Sequence, residues 1–210
     1  MTCSSIASAA RRRTLRGFAF AVIAAMAIAP ISVASANTNA SQARKLIEDL
    51  TQQAITILKS DSGDIGSREQ KFRTVLTEYF AIPSISKRVA GKHWQDMSPQ
   101  QRQEFQRLFG EWVLKTYSRR FGGYKGEAIA VEKASAVGRD TVLVRTRLKG
   151  EQRSNKVDWR VIEESAGEQK IVDVSVDGVS MLVTQKSEIS AIVKNKGVDG
   201  LLAMLRKHTQ

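Results

Sequence analysis

This 210-residue chain holds one cysteine, two histidines and three prolines, and only 6% of it is aromatic. Each scarcity excludes something. The one cysteine, Cys3, lies in an N-terminal segment expected to be removed. What remains then has no disulfide, no thiol nucleophile and no thiolate metal site. His93 and His208 alone do not furnish a His/Cys metal centre, although an all-carboxylate one stays open. The chain has no Gly-x-Ser-x-Gly elbow, P-loop or dinucleotide fingerprint. It also has no internal repeat and no aromatic cluster on which bases would stack. Past the N-terminal segment there is no second long apolar run of the kind that spans a membrane.

The N-terminal segment is the most informative stretch. Arg11-Arg12-Arg13 and Arg16 precede an uncharged apolar run from Gly17 to Ile28, and Ala34-Ser35-Ala36 supplies small residues for cleavage. The run is short of the about 20 residues a membrane span needs. Residues 1–36 are therefore expected to be a signal peptide cleaved near Ala36, with 37–210 forming a single exported domain. An uncleaved anchor is the alternative, and the shortness of the run argues against it. Cys3 precedes the run instead of ending it, so it is not placed as a lipid-modified cysteine, and the product is expected to be soluble and unanchored. Four arginines and no acid lie in 1–36, which leaves +8 of the chain's net charge of +12. A domain of about 174 residues buries roughly 70% of its unfolded surface, so packing alone can hold it. The positive balance admits nucleic acid, an anionic lipid surface or acidic partner, or plain solubility. Interleaving with Glu and Asp, together with export, argues against nucleic acid.

Helical periodicity comes first. Ala43, Leu46, Ile47, Leu50, Ala54, Ile57 and Leu58 recur at helical spacing between Ser41 and about Ser60, and 61–64 break the pattern. Ser67 and Gln70 have the form of a capping box, followed by Phe72, Val75, Leu76, Tyr79 and Phe80 up to Pro83. A short helix fits Ser84 to Ala90, closed by Gly91. Ser98 as N-cap, Pro99 at the first position and Gln101 then predict a helix whose inner face is Phe105, Leu108, Phe109, Trp112 and Thr116. Gly122-Gly123 ends it. Arg102, Glu104, Arg107, Glu111 and Arg119 on its other face read as a solvated surface.

From Glu127 the period changes to two. Ile129 and Val131, then Val142, Val144, Thr146 and Leu148, then Val157, Trp159 and Val161, then Val172, Val174 and Val176 alternate with polar residues. Short turns at 138–140, 149–151 and 166–168 favour an antiparallel meander with one apolar face. The stretch from Val179 to Thr184 either extends the sheet or crosses its end. Ile189, Ile192 and Val193 resume helical spacing up to Gly197, and Leu201, Leu202 and Leu205 end the chain in a last helix. The class is α+β, with amphipathic helices packed on one face of a curved sheet.

Catalytic candidates are few. Ser180 reads as structural, His208 lies at the terminus, and His93 lacks an orienting partner for general-base work. Asp173 and Asp177 form a possible acid–base pair, against a simpler reading as a strand residue and a turn former. The chain is expected not to be an enzyme. What it does have is apolar volume, which closes into a dense core or opens into a cavity.

Several segments resemble the MlaC-type periplasmic phospholipid-binding proteins, also called the toluene-tolerance family. They are Arg88-Val89-Ala90-Gly91-Lys92-His93-Trp94; Met97-Ser98-Pro99-Gln100-Gln101-Arg102-Gln103-Glu104-Phe105 with Phe109, Tyr117 and Tyr124-Lys125-Gly126; Val172-Asp173-Val174-Ser175-Val176-Asp177-Gly178-Val179-Ser180 with Lys186-Ser187-Glu188; and Gly197-Val198-Asp199-Gly200-Leu201-Leu202. They follow the family's order over nearly all of 37–210. Ala90 stands where leucine is usual, and Ile189 where an aromatic is common. The resemblance implies an NTF2-like α+β fold with an interior apolar pocket for acyl chains, and no cofactor beyond bound phospholipid as cargo. It implies a periplasmic carrier that shuttles phospholipid between an outer-membrane lipoprotein complex and an inner-membrane ABC transporter complex with a membrane-anchored lipid-binding subunit, maintaining outer-membrane asymmetry. A related hopanoid carrier is the alternative, and an exported hydrolase on the same fold is an alternative of another class. Two chains of about 16 carbons buried at about 0.8 kcal/mol per methylene are held by roughly 25 kcal/mol against water, and by almost nothing against a bilayer. No motif singles out pocket residues. Apolar positions facing between helices and sheet are the candidates: Leu76, Tyr79, Phe80, Ile82, Trp94, Phe109, Tyr117, Val144, Trp159, Val161, Val174, Val179 and Met181.

Overall fold

The computed structural model describes residues 33–59, 65–120, 128–150, 154–164 and 167–210. Most of the expected signal segment, the break at 61–64, the Gly122-Gly123 stop and Tyr124-Lys125-Gly126 lie outside the described residues.

Helix α1 (Val33–Lys59) starts well before Ser41, since no Gly or Pro interrupts the chain between them. Helix α2 (Ile65–Tyr79) also starts early, so Ser67 sits inside its first turn and is not the N-cap. The first-turn amides have no intrahelical partner, so Gly66 and Ser67 are tolerated there. Pro83 falls in the first turn of α3 (Ile82–Ala90), where its missing N–H costs nothing. Gly91 ends α3 with φ +56, and its amide donates to the Lys87 carbonyl at 3.1 Å. A single turn, α4 (His93–Asp96), leads to α5 (Pro99–Arg120). Here the capping box forms as its spacing requires. The Ser98 amide donates to Gln101 Oε1 at 2.9 Å, and the Gln101 amide donates to Ser98 Oγ at 3.2 Å.

Strands β1 (Ala128–Ala136), β2 (Thr141–Lys149), β3 (Ser154–Glu163), β4 (Gln169–Val176) and β5 (Val179–Ser180) form one antiparallel meander in chain order. Val142, Val144, Thr146 and Val161 are buried on the inner face. The expected alternation of Val172, Val174 and Val176 does not hold through β4. A register shift between Arg160 and Val161 sets Ile171 opposite Val161 and leaves Val172 as the extra residue. Ile171, Val172 and Asp173 are then buried in succession. The stretch from Val179 extends the sheet by only two residues paired with β4, and α6 (Met181–Thr209) begins at once, before Ile189, where helical spacing was expected to resume. Gly197, at φ +70 and ψ 179, kinks α6 into the two helices that its apolar spacing foretold.

Two cores hold the domain. Phe105, Leu108 and Phe109 of α5 pack with Val89 of α3 and with Ile189, Leu201, Leu202 and Leu205 of α6. Ala43, Ile47 and Leu50 of α1 and Val75 and Tyr79 of α2 pack on Val142, Val144, Val161 and Ile171 of the sheet. The polar face of α5 is not merely solvated. Glu111 pairs with Arg73 of α2 at 2.6 Å, Glu104 with Arg206 of α6 at 2.7 Å, and Arg102 donates to the Trp94 carbonyl at 2.8 Å with its guanidinium 5.5 Å from the indole. Long side chains on one helix thus reach α2, α4 and α6, where periodicity alone showed only exposure.

Candidate functional site: an apolar cavity between two cores

The two cores do not close on each other. Between them lies a cavity of about 460 Å³, within the usual range for small-ligand sites. Helix α1 contributes Leu50, Ala54, Ile55 and Leu58; α2 contributes Phe72, Val75 and Leu76; α3 contributes Ile82, Ile85 and Val89. Phe109, Val113, Leu114 and Tyr117 of α5 and Met181 and Leu182 of α6 face them. The floor is the inner sheet face, with Ile129, Leu148, Val157, Trp159, Val174 and Val176. Register explains the floor: Ile129 lies opposite Leu148, Val157 opposite Val176, and Trp159 opposite Val174.

Most of its few polar side chains, Gln185 apart, are engaged within the protein. Trp159 Nε1 donates to Thr146 Oγ1 at 3.0 Å, and Thr146 Oγ1 donates to the Val157 carbonyl at 2.9 Å. The Tyr117 hydroxyl reaches Met181 Sδ at 3.6 Å. Thr51 donates to the Glu48 carbonyl at 2.9 Å and Ser118 to the Lys115 carbonyl at 3.4 Å. Asp173 is buried at the wall, where its Oδ2 accepts from the Ser180 hydroxyl at 2.7 Å and its Oδ1 from the Leu182 amide at 3.0 Å. Ser180 Oγ in turn accepts from the Val183 amide at 3.1 Å, so Asp173 and Ser180 together cap α6. That geometry removes both from catalysis. Asp177 is a turn residue with φ +49, and its carboxylate accepts from Asn155 Nδ2 at 2.6 Å and the Lys156 amide at 2.8 Å. Those hydrogen bonds, Asn155 first, hold its pKa below the ordinary aspartate range. Asp173 and Asp177 therefore do not form an acid–base pair. His93 Nε2 lies 3.2 Å from Ser190 Oγ, between α4 and α6 and away from the cavity lining. Among the described residues no His, Cys, Asp or Glu cluster could hold a metal ion.

Of the thirteen candidate residues, the cavity gathers Leu76, Phe80, Ile82, Phe109, Tyr117, Trp159, Val174 and Met181. Five lie elsewhere. Tyr79, Val144 and Val161 are packed in the sheet-side core, and burial raises the pKa of the Tyr79 hydroxyl above its ordinary value. Trp94 packs against the helical core beneath Arg102, and Val179 is 57% exposed at the hairpin. Val144 and Val161 pack under α1 and α2 in the sheet-side core, although Val144 shares a cross-strand row with Trp159 and Val174, which reach the cavity; Trp94 and Val179 do not lie on the inner sheet face. The residues missed most completely are Leu50, Ala54, Ile55 and Leu58 of α1. The stripe holding Leu50, Ala54 and Leu58 was visible in the sequence and Ile55 lay outside it, but nothing there says that the C-terminal half of α1 borders a cavity.

An α+β domain with an apolar cavity between its helices and its sheet has the form of a small-ligand-binding protein. Residues 48–207 match the family model described as MlaC protein, and the chain belongs to the MlaC family. A relative from Haemophilus influenzae, the "Intermembrane phospholipid transport system binding protein MlaC", is 23% identical over 172 residues, covering 77% of this chain and 79% of that one. Among solved structures, the phospholipid-binding protein from Ralstonia solanacearum in complex with a phospholipid has the same fold. It matches with a TM-score of 0.72 at 19% identity, covering 79% of this chain and 96% of that one.

Proposed function

We propose that this protein is a periplasmic lipid carrier that holds the acyl chains of a phospholipid in the cavity between its two cores. The observation that carries the reading is the lining, which is chiefly aliphatic and aromatic, with Trp159, Thr146, Asp173 and Ser180 hydrogen-bonded within the protein. Such a wall offers hydrocarbon contact and no reactive group, so it suits storage and not turnover. The phospholipid bound in the Ralstonia relative and the transport system named for the Haemophilus relative support the same reading.

Cleavage near Ala36 would release the domain 37–210 into the periplasm with no anchor on either membrane. Its partners there are an outer-membrane lipoprotein complex and an inner-membrane ABC transporter complex with a membrane-anchored lipid-binding subunit, and its task is to maintain outer-membrane lipid asymmetry. An acyl chain exchanging bilayer for cavity gains almost nothing in hydrocarbon burial, so direction comes from those partners. A fluorescent-phospholipid exchange assay between donor and acceptor vesicles tests carriage. The protein should accelerate exchange in both directions equally, and no acceleration would remove the carrier reading.

A further inference from the structure

The inner face of the sheet is covered by helices, whereas among the described residues the outer face of β1 to β3 leaves its cations exposed, and some of its charges are placed against the rules of sheet stability. Exposed Lys133 of β1 lies directly opposite exposed Arg145 of β2, and Lys156 of β3 lies directly opposite Arg147. Exposed Lys149 and Arg160 extend the same face at either end. Like charges directly opposite one another destabilise a sheet, so these pairs oppose folding. Elsewhere the chain matches its charges, as in Arg44–Glu48, Lys45–Asp49, Arg73–Glu111 and Glu104–Arg206. On the outer face Glu132 binds Arg147 and Asp158 lies opposite Arg145, while Asp173, opposite Arg160, is bonded to Ser180 and the Leu182 amide. Asp177 stands at the rim with its carboxylate committed to Asn155 and the Lys156 amide.

We propose that this outer face of β1 to β3 is a docking surface for anionic lipid headgroups. Charge complementarity supplies the argument for an anionic occupant, and the face's other residues choose its kind. Among the described residues it bears no aromatic side chain. Its larger apolar ones, Leu143 and Ile162, are half-buried. A protein partner of ordinary affinity needs buried aromatic or aliphatic anchors at the centre of its footprint. A headgroup layer needs only phosphate-facing cations on a broad surface. The contact would be peripheral and reversible, without insertion, and it does not depend on what fills the cavity. Anionic phosphates would relieve this repulsion on docking.

The test is co-sedimentation of the protein, purified from its own envelope, with vesicles of phosphatidylglycerol and phosphatidylcholine or of phosphatidylcholine alone. Binding should occur only with phosphatidylglycerol and vanish in high salt, where the screening length falls to about 3 Å. Replacing Lys133→Gln, Arg145→Gln, Lys149→Gln and Lys156→Gln together should weaken it by roughly a hundredfold or more, at about fivefold per cation. Because repulsion is removed, the Tm of that variant should hold or rise. A control carrying Lys87→Gln, Lys194→Gln, Lys196→Gln and Lys207→Gln makes the same change in net charge away from the sheet and should keep most of the binding. The proposal is overturned if the anionic vesicles are not bound, if the sheet variant binds as well as the unaltered protein, or if the control loses as much.

Discussion

Ala54 faces the cavity from the middle of α1's inner stripe, between Leu50 and Leu58, and its methyl leaves the space before it empty. Replacing Ala54→Trp would project an indole into that space. A buried Trp covers on the order of 200 Å². If about half of that displaces contact with cargo, the loss at about 25 cal/mol per Å² is about 2.5 kcal/mol, or roughly sixtyfold in retention. Stability should respond differently. Filling a void costs less than the about 1–3 kcal/mol of overpacking a dense core. The variant should therefore fold with a Tm close to the parent and carry little lipid. Lipid phosphorus per mole of protein, measured beside a circular-dichroism melt, reads both quantities. Full lipid occupancy in a folded Ala54→Trp protein would refute the placement of the site, and so would a loss of lipid that simply tracks unfolding.

Other expectations concern what holds the cavity's walls. Phe105 is fully buried at the centre of the helical core, so Phe105→Ala should cost about 3–5 kcal/mol in urea unfolding. Ser98→Ala removes one half of the reciprocal cap on α5 and should cost about 1 kcal/mol by the same measurement, leaving lipid content unchanged. Glu111, hydrogen-bonded to Arg73, is held below the ordinary glutamate pKa of about 4.3. A lowered folded-state value gives stability that is present above the unfolded pKa and is lost as pH falls through the folded one. Denaturation of Glu111→Gln from neutral to acid pH should show a deficit at neutrality that shrinks in acid; a constant deficit would exclude the ion pair as its cause.

The parts of this architecture legible in sequence are those fixed by local chemistry. Ser98, Pro99 and Gln101 specify the start of α5 because the cap is made within four residues, and the period of two from Ile129 to Val161 specifies the meander. Ser67 and Gln70 had the same form as the working box, yet the helix simply began earlier. A motif states that a cap can form, not that it must. The cavity lies one level higher. Val144 and Val174 are both inner-face valines, but one packs under α1 and the other borders empty space. The two lie in one row on either side of Trp159, so the difference depends on which strand the helices cover and not on position along the strands. The cap of α6 was illegible for a related reason, since Asp173 and Ser180 meet across a strand corner that only folding creates. The ion pairs of α5 likewise join residues far apart in sequence, and no periodicity marks them.

The central claim is that the space between the two cores is an acyl-chain site. Solvent extraction and mass spectrometry of the protein, purified without detergent from its own cells, tests it most directly. The account predicts phospholipid at close to one molecule per protein, with hopanoid in its place pointing to the related carriers. Protein recovered folded and free of lipid would contradict it.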